Sequence, residues 1–352
     1  MEIVFIISQE HQTLPRAEIE AVLRAEEIPF NFKNQYEGIL IIEVANEHEK
    51  YMERIGKRLS YTHELCKLLI ETDKTSLNND VEKIDWNEII NNDYVVRARR
   101  MDKTDKFDTS KIEIEIGGTI NSIVEGSKVN LKDPDCFIRL IYLDEIVLLT
   151  QRIMKIDKKH FNNFKPHKRP FFYPGSMSPK LARCMVNLTE IKEDDTVLDP
   201  FCGTGGILIE AGILGAKLIG TDIDYKMVQG TTRNLEYCGF KNSKIFREDA
   251  KKIHLETRVN AIVTDPPYGI SASTGGEDST NLYSAALKNM DGLLKEKGKI
   301  CMATPHYMDI KGLIKDTNFE IIEQHHIRMH KSLTRVISLL TKKIYRKKTN
   351  LI

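Results

Sequence analysis

Apolar and polar positions run through this chain in two rhythms, separated by a polar stretch near the middle. Before that stretch, short β-branched runs alternate with isolated helical patterns. Residues 3–7 are continuously apolar and read as a strand. Residues 15–25 place Ile19, Val22 and Leu23 at helical spacing, and residues 39–44 are β-branched again. A second block predicts a strand over 65–70, a helix over 81–90 and a strand over 94–99. A helix over 119–124 and a short strand over 128–131 follow, and 137–142 with 146–150 read as a hairpin around Asp144-Glu145.

Residues 157–169 (Asp-Lys-Lys-His-Phe-Asn-Asn-Phe-Lys-Pro-His-Lys-Arg) are polar, basic and without period, so they read as a linker. Beyond them the rhythm is that of an α/β protein. Strands are predicted over 196–199, 218–222, 244–247, 261–265 and 299–303, and helices over 180–187, 205–214, 227–238 and 282–294. Residues 319–327 and 334–342 look like an antiparallel pair closing the sheet. Strands alternating with helices imply a doubly wound parallel sheet with ligands at the carboxyl ends of its strands.

Composition narrows the function classes. The chain has 352 residues, 41% hydrophobic and 29% charged, enough for two or three domains with real cores. No apolar run is long enough to cross a membrane, and the first seven residues read as a strand, not a secretory signal. Six cysteines lie at least 18 residues apart without a CxxC pair. That argues against a zinc ribbon or a small disulfide scaffold and for a reducing cytoplasm, and no metal is expected. Charge is split: residues 1–150 hold 19 Lys and Arg against 29 Asp and Glu, whereas residues 151–352 hold 33 against 22. A basic half, including Lys342, Lys343, Arg346, Lys347 and Lys348, suits a polyanionic partner such as nucleic acid; a solvated tail and linker is the plainer alternative.

Chemistry concentrates at strand ends. Residues 196–207 run from a buried strand into Asp199-Pro-Phe-Cys-Gly-Thr-Gly-Gly206, where Gly203 and Gly205 let a ligand approach the main chain. Asp199 can accept from a cationic amine. Leu208 breaks the dinucleotide pattern G-x-G-x-x-G, and no Gly-Lys-Ser/Thr follows, so nicotinamide and P-loop readings fail. Asp222 ends the next strand, where a carboxylate can take both ribose hydroxyls, and Asp249 follows the third, where it could accept from adenine. Taken singly, such residues are more often helix caps. Asp265-Pro-Pro-Tyr268-Gly follows the next strand. Its prolines fix the direction of their carbonyls, so Asp265 and the Pro266 carbonyl can accept two N–H groups of a planar amine while Tyr268 stacks on the ring.

These four motifs resemble those of class I S-adenosylmethionine methyltransferases acting on exocyclic amines. Residues 169–183, Arg-Pro-Phe-Phe-Tyr-Pro-Gly-Ser-Met-Ser-Pro-Lys-Leu-Ala-Arg, resemble the segment preceding the catalytic core of archaeal tRNA (guanine(10)-N2)-dimethyltransferases, with Tyr173 where a histidine is expected. Residues 129–135 with their flanking strands resemble the THUMP RNA-binding module. The resemblance spans nearly the whole chain. It implies a ferredoxin-like domain over 1–55, a THUMP domain over 56–152, a basic linker over 153–170 and a seven-stranded Rossmann-like methyltransferase domain over 171–352.

By position, the resemblance assigns Pro174, Asp199, Phe201, Gly203, Thr204, Gly205, Ile223 and Ala250 to the cofactor, Asp222 to its ribose and Asp249 to its adenine. It assigns Asp265, Pro266, Pro267 and Tyr268 to a guanine flipped out of the tRNA. Arg97, Arg99, Arg100 and Lys128, continued by Lys158, Lys159, Lys168 and Arg169, are the candidate RNA contacts, and Gly275-Gly276 a candidate closing loop. The implied enzyme is a cytoplasmic monomer that methylates N2 of guanosine 10 once and then again. A guanine at tRNA position 6 or in ribosomal RNA, a protein glutamine, and a non-catalytic RNA-binding protein are the alternatives.

Overall fold

Hydrogen bonding between strands sorts the chain into two sheets, one of eight strands and one of seven. The computed structural model describes residues 1–101, 108–269, 279–330 and 333–343. The candidate loop Gly275-Gly276 and the tail cations Arg346, Lys347 and Lys348 lie outside them. Two compact units result: Met1–Pro15, Glu27–Lys57 and Tyr61–Asp157 form the first, and Arg16–Glu26, Arg58–Ser60 and the residues from Lys158 onward form the second.

The elements before the boundary are β1 (Glu2–Ile7), α1 (Leu14–Ala25), β2 (Phe30–Tyr36), β3 (Ile39–Val44), α2 (Met52–Arg58), β4 (Thr62–Asp73) and α3 (Leu77–Glu82). After them come β5 (Asp93–Arg100), α4 (Thr109–Ile123), β6 (Lys128–Val129), β7 (Cys136–Leu143) and β8 (Ile146–Lys155). The first sheet has the order β2-β3-β1-β4-β8-β7-β5-β6. Because β1 pairs antiparallel with both β3 and β4, strands from residues 1–55 and 56–152 share it. One face buries Tyr94, Val96, Ile138, Leu140 and Leu149 against Ile116 and Ile120 of α4 and against Trp86. On the other, Arg97 of β5 lies in register with Arg139 of β7. Most of α1 counts with the second unit, where Glu18, fully buried, accepts from Ser60 Oγ (2.7 Å) and from Asn187 Nδ2 (2.9 Å).

The second unit continues with α5 (Lys159–Asn163), α6 (Pro179–Leu188), β9 (Thr196–Asp199), α7 (Gly206–Ile213), β10 (Lys217–Asp222), α8 (Tyr225–Tyr237), β11 (Lys244–Arg247) and β12 (Val259–Thr264). It ends with α9 (Ser279–Leu293), β13 (Leu294–Pro305), α10 (Ile310–Leu313), β14 (Phe319–His330) and β15 (Leu333–Lys342). The order β11-β10-β9-β12-β13-β15-β14 is parallel except for β15, which runs antiparallel to both neighbours. Strand order reverses between β9 and β12, so the loops after these strands meet at one crevice. The expected linker is structured. Its first residues extend β8, residues 159–163 form α5, and His160 Nε2 lies 3.1 Å from Glu210 Oε1 on α7.

Candidate active site

The loop after β9 is built around two left-handed residues, Gly203 at φ 51° and Gly205 at φ 77°. A side chain on Gly205 would also meet Thr231 Cγ2 at 2.9 Å. Three side chains, one from β10 and two from α8, clamp the loop from behind. Gly203 N donates to Asp222 Oδ2 (3.0 Å), Thr231 Oγ1 donates to the Gly203 carbonyl (2.7 Å), and Asn234 Nδ2 donates to the Thr204 carbonyl (2.8 Å). Asn234 also exchanges two 2.9 Å bonds with the main chain of Phe171, tying residues 169–183 to this loop. Ser176 Oγ lies 3.1 Å from Thr204 Oγ1, while Phe172, Tyr173 and Pro174 stay exposed beside it. Sequence reasoning passed over Thr231 and Asn234 because polar residues in α8 look like its solvent face.

Four carboxylates line the strand ends. Asp199 is 1% exposed and accepts from Thr264 Oγ1 (2.8 Å) and Phe201 N (3.2 Å). Burial pushes its carboxyl up to about 7, and the charges of Asp222 and Asp265 add to the rise. Asp222 accepts from Gly203 N and, at 2.9 Å, from Asp224 N; burial raises it as well. Ile223 beside it is 63% exposed, an apolar side chain open to solvent at the end of β10. Asp249 caps its own turn by accepting from Lys251 N (3.0 Å), and Ala250 is buried in the core.

The residues present fit a nucleoside cofactor with a cationic amine. A Cβ on Gly203 would meet nothing nearer than the Phe201 carbonyl at 3.9 Å, so the main chain there borders open space. A buried carboxyl held high by desolvation is stabilised as carboxylate by a cation.

Beyond β12, Asp265 receives two partners. Tyr268 Oη donates to Oδ1 (2.7 Å), and Arg335 Nη2 lies 3.3 Å from Oδ2. Arg335 Nε also donates to Tyr268 Oη (2.7 Å), closing a three-residue ring. Tyr283 Oη of α9 donates to the Pro267 carbonyl (3.0 Å) and approaches that of Pro266 (3.4 Å), fixing the turn. Asp265 is raised by burial, with Arg335 and the Tyr268 hydroxyl pulling the other way. Arg335 went unnoticed in the sequence, although it heads the uncharged run Arg-Val-Ile-Ser-Leu-Leu-Thr341, where an inward guanidinium needs a partner.

Within the first unit the expected RNA-facing residues do not form one patch. Arg97 Nη1 is paired with Glu113 Oε2 (3.1 Å). Lys128 stands beside Asp93, at the opposite end of β5 from Arg99 and about 20 Å along the strand. On the face of Arg97 and Arg99, the Arg152 guanidinium lies 3.5 Å over the Phe137 ring and that of Arg139 4.7 Å from it, both missed in the sequence. Lys159 and Lys168 are exposed, and Lys158 is half-buried. Arg169 is a correction. At 5% exposure it cannot reach a phosphate; its Nε donates to the Phe164 carbonyl (2.9 Å), and its guanidinium packs behind Gly206. Charge was legible there, and burial was not.

Among the described residues no cluster of His, Cys, Asp or Glu could hold a metal ion, and no helix is long and apolar enough to cross a membrane. A family model described as an RMKL-like methyltransferase domain matches residues 166–337, and a DNA methylase model matches residues 6–233. The tRNA (guanine(10)-N2)-dimethyltransferase of Methanothermobacter thermautotrophicus is 46% identical over 97% of this chain and 99% of its own. The protein of the same name from Methanocaldococcus jannaschii is 35% identical over 96% and 99%. The crystal structure of TrmN from Thermus thermophilus superposes with a TM-score of 0.54 at 19% identity, covering 97% of this chain and 100% of that one, a likeness of fold. The chain belongs to the tRNA (guanine(10)-N2)-dimethyltransferase family.

Proposed function

We propose that the protein transfers methyl groups from S-adenosylmethionine to N2 of guanosine 10 in tRNA, giving N2-methyl- and then N2,N2-dimethylguanosine. The observation that carries the reading is the placement of Asp265 and the Pro266 carbonyl directly beyond β12, across the strand-order switch from the Asp199 glycine loop. Asp199 would hold the amine of the cofactor, Asp222 its ribose and Asp249 its adenine. S-adenosylmethionine supplies an electrophilic methyl group when bound. Asp265 and the Pro266 carbonyl accept the two N–H groups of guanine, leaving its nitrogen lone pair aimed at that methyl. Positioning of this kind can supply about 7–11 kcal/mol. After the first transfer one N–H remains, and Asp265 accepts it for the second. As nitrogen forms its new bond, the surplus proton can pass to the Asp265 carboxylate, whose burial favours the protonated form.

Two measurements address the cofactor side. Asp222→Ala is expected to raise the Kd for S-adenosylmethionine about tenfold or more in calorimetry, by removing a charged acceptor from ribose. An unaltered Kd contradicts the ribose role. Asp199 gives a pH signature: only its carboxylate attracts the ammonium, so affinity falls as pH drops through about 7. A Kd that stays flat from about pH 5.5 to about 8.5 excludes Asp199 as the amine's partner.

For tRNA, the first unit carries the ferredoxin-like and THUMP regions, and Arg97 and Arg99, extended by Arg152, form the proposed contact face; Arg139 is taken up by Glu64 (2.9 Å). Guanidinium groups backed by an aromatic ring suit stacking and phosphate contact. Arg97→Glu with Arg99→Glu should raise the KM for tRNA about tenfold and leave the cofactor Kd in place. An unchanged KM removes this face from the reading. Six free cysteines fit a cytoplasmic enzyme, and the reading requires only one copy of the chain. Labelled S-adenosylmethionine incubated with unmodified tRNA should place label in tRNA; label confined to ribosomal RNA or protein would overturn the proposal.

A further inference from the structure

The ring of Asp265, Tyr268 and Arg335 contains a residue that the motifs do not. Arg335 belongs to β15, the one antiparallel strand of the second sheet, opposite Pro305 of β13. It is 8% exposed, and its guanidinium uses two edges at once, Nη2 toward Asp265 Oδ2 (3.3 Å) and Nε onto Tyr268 Oη (2.7 Å). A phenol has a single proton. With Arg335 donating to the Tyr268 oxygen, that proton is committed to Asp265 Oδ1 at 2.7 Å. The guanidinium therefore fixes the carboxylate from one side directly and from the other through tyrosine, and lies 5.6 Å from the centre of the tyrosine ring.

We propose that Arg335 is a positioning residue for methyl transfer, holding the Asp265 carboxylate in the orientation that accepts the substrate amine and setting the Tyr268 ring beside it. This deepens the reading of Asp265 as the amine acceptor and rests on it. Guanine needs room where the Tyr268 hydroxyl now meets Asp265. Gly269, at φ 78°, follows the tyrosine directly and can absorb the rotation that lets the ring move onto the base. Arg335 then keeps Asp265 charged and aimed while tyrosine stacks.

Asp265 accepts N–H groups fully only as carboxylate. Burial raises it, Arg335 and the Tyr268 hydroxyl lower it, and Asp199 at the end of β9 and Tyr283 of α9 are the other titratable groups coupled to it. Without Arg335 the carboxyl rises further, and the acid limb of the rate profile moves to higher pH.

The test is single-turnover methylation at saturating S-adenosylmethionine, across pH, which removes any contribution of Asp199 to cofactor binding. Arg335→Gln is expected to lower the rate constant about tenfold or more at neutral pH and to move its acid limb upward, with the cofactor Kd unchanged. Arg335→Lys keeps the charge but cannot fork onto both partners. It should restore the acid limb and only part of the rate, and it remains informative where a neutral residue unfolds β15. Tyr268→Phe, which breaks the indirect link alone, should cost less than Arg335→Gln. A wild-type rate and acid limb in Arg335→Gln, or lysine and glutamine variants with identical losses, would overturn the proposal. Asp265→Ala separates the two layers: full activity there sinks the acceptor reading itself, whereas its loss beside an unaffected Arg335→Gln sinks only the role of Arg335.

Discussion

Asp265→Ala is expected to lower methyl transfer about a thousandfold or more while leaving the Kd for S-adenosylmethionine within about twofold. The side chain touches none of the groups that clamp the glycine loop; its partners are Tyr268 and Arg335. The loss therefore falls on the accepting amine. Deleting the carboxylate removes one of two acceptors that hold the nitrogen and leaves the Pro266 carbonyl to orient it alone. It also strands the Arg335 charge at 10% side-chain exposure, so folding of the variant is checked by the same cofactor titration. Substantial turnover in a variant that binds cofactor normally would mean that another group orients the amine.

The largest stability effect is expected at Glu210. This carboxylate of α7 is fully buried, 2.8 Å from Arg183 Nη2 and 3.1 Å from His160 Nε2. The buried guanidinium of Arg169 is also held charged by it against desolvation. Glu210→Gln keeps the shape and removes the charge on which these cations depend. Breaking a buried pair this way costs about 3–5 kcal/mol, since the remaining guanidinium cannot regain its water. Urea unfolding of the second unit should show a loss of that size, whereas Asp316→Asn, at an exposed pair with Lys288, should cost less than about 1 kcal/mol. A Glu210→Gln effect as small as that would mean that relaxation or water compensates the site. The same network fastens α5 and the segment around Arg169, so the variant should also loosen the strip that borders the glycine loop.

The parallel sheet was legible because β9, β10 and β12 are short apolar runs that lead into Asp199, Asp222 and Asp265, and because helices of clear period lie between its strands. The motif residues fall where the switch between β9 and β12 puts them, at carboxyl ends. Other elements left weaker marks. β2, Phe-Asn-Phe-Lys-Asn-Gln-Tyr, is an edge strand with mostly exposed positions and no apolar stripe, so periodicity passed over it. The helix expected over 81–90 stops at Glu82, and Trp86 sinks into the core from a short 3-10 turn, its Nε1 donating to the Val81 carbonyl (2.8 Å). α4 begins at Thr109, ten residues earlier than its apolar pattern suggested, because Gly117-Gly118 interrupts the period. Gly117 carries its own contact there, its carbonyl accepting from Tyr94 Oη (2.6 Å).

Charge was the least transferable signal. Arg97, Arg99 and Arg169 read alike in the sequence, yet one is paired with Glu113, one is half-exposed, and one is buried behind Gly206. Arg335 failed in the opposite direction, as a cation within an apolar strand whose partner lies 70 residues earlier in the chain. Both errors have one cause. A charged side chain is placed by its counter-charge in three dimensions, and sequence spacing carries that information only within a helix or a turn.

The most direct measurement uses two tRNA transcripts, one with guanine and one with adenine at position 10, incubated with the enzyme and S-adenosylmethionine and digested to nucleosides for mass analysis. The account predicts N2-methylguanosine followed by N2,N2-dimethylguanosine from the first transcript and neither from the second. Methylated guanosine that persists with adenine at position 10, or a methyl group found on any other base, would contradict it.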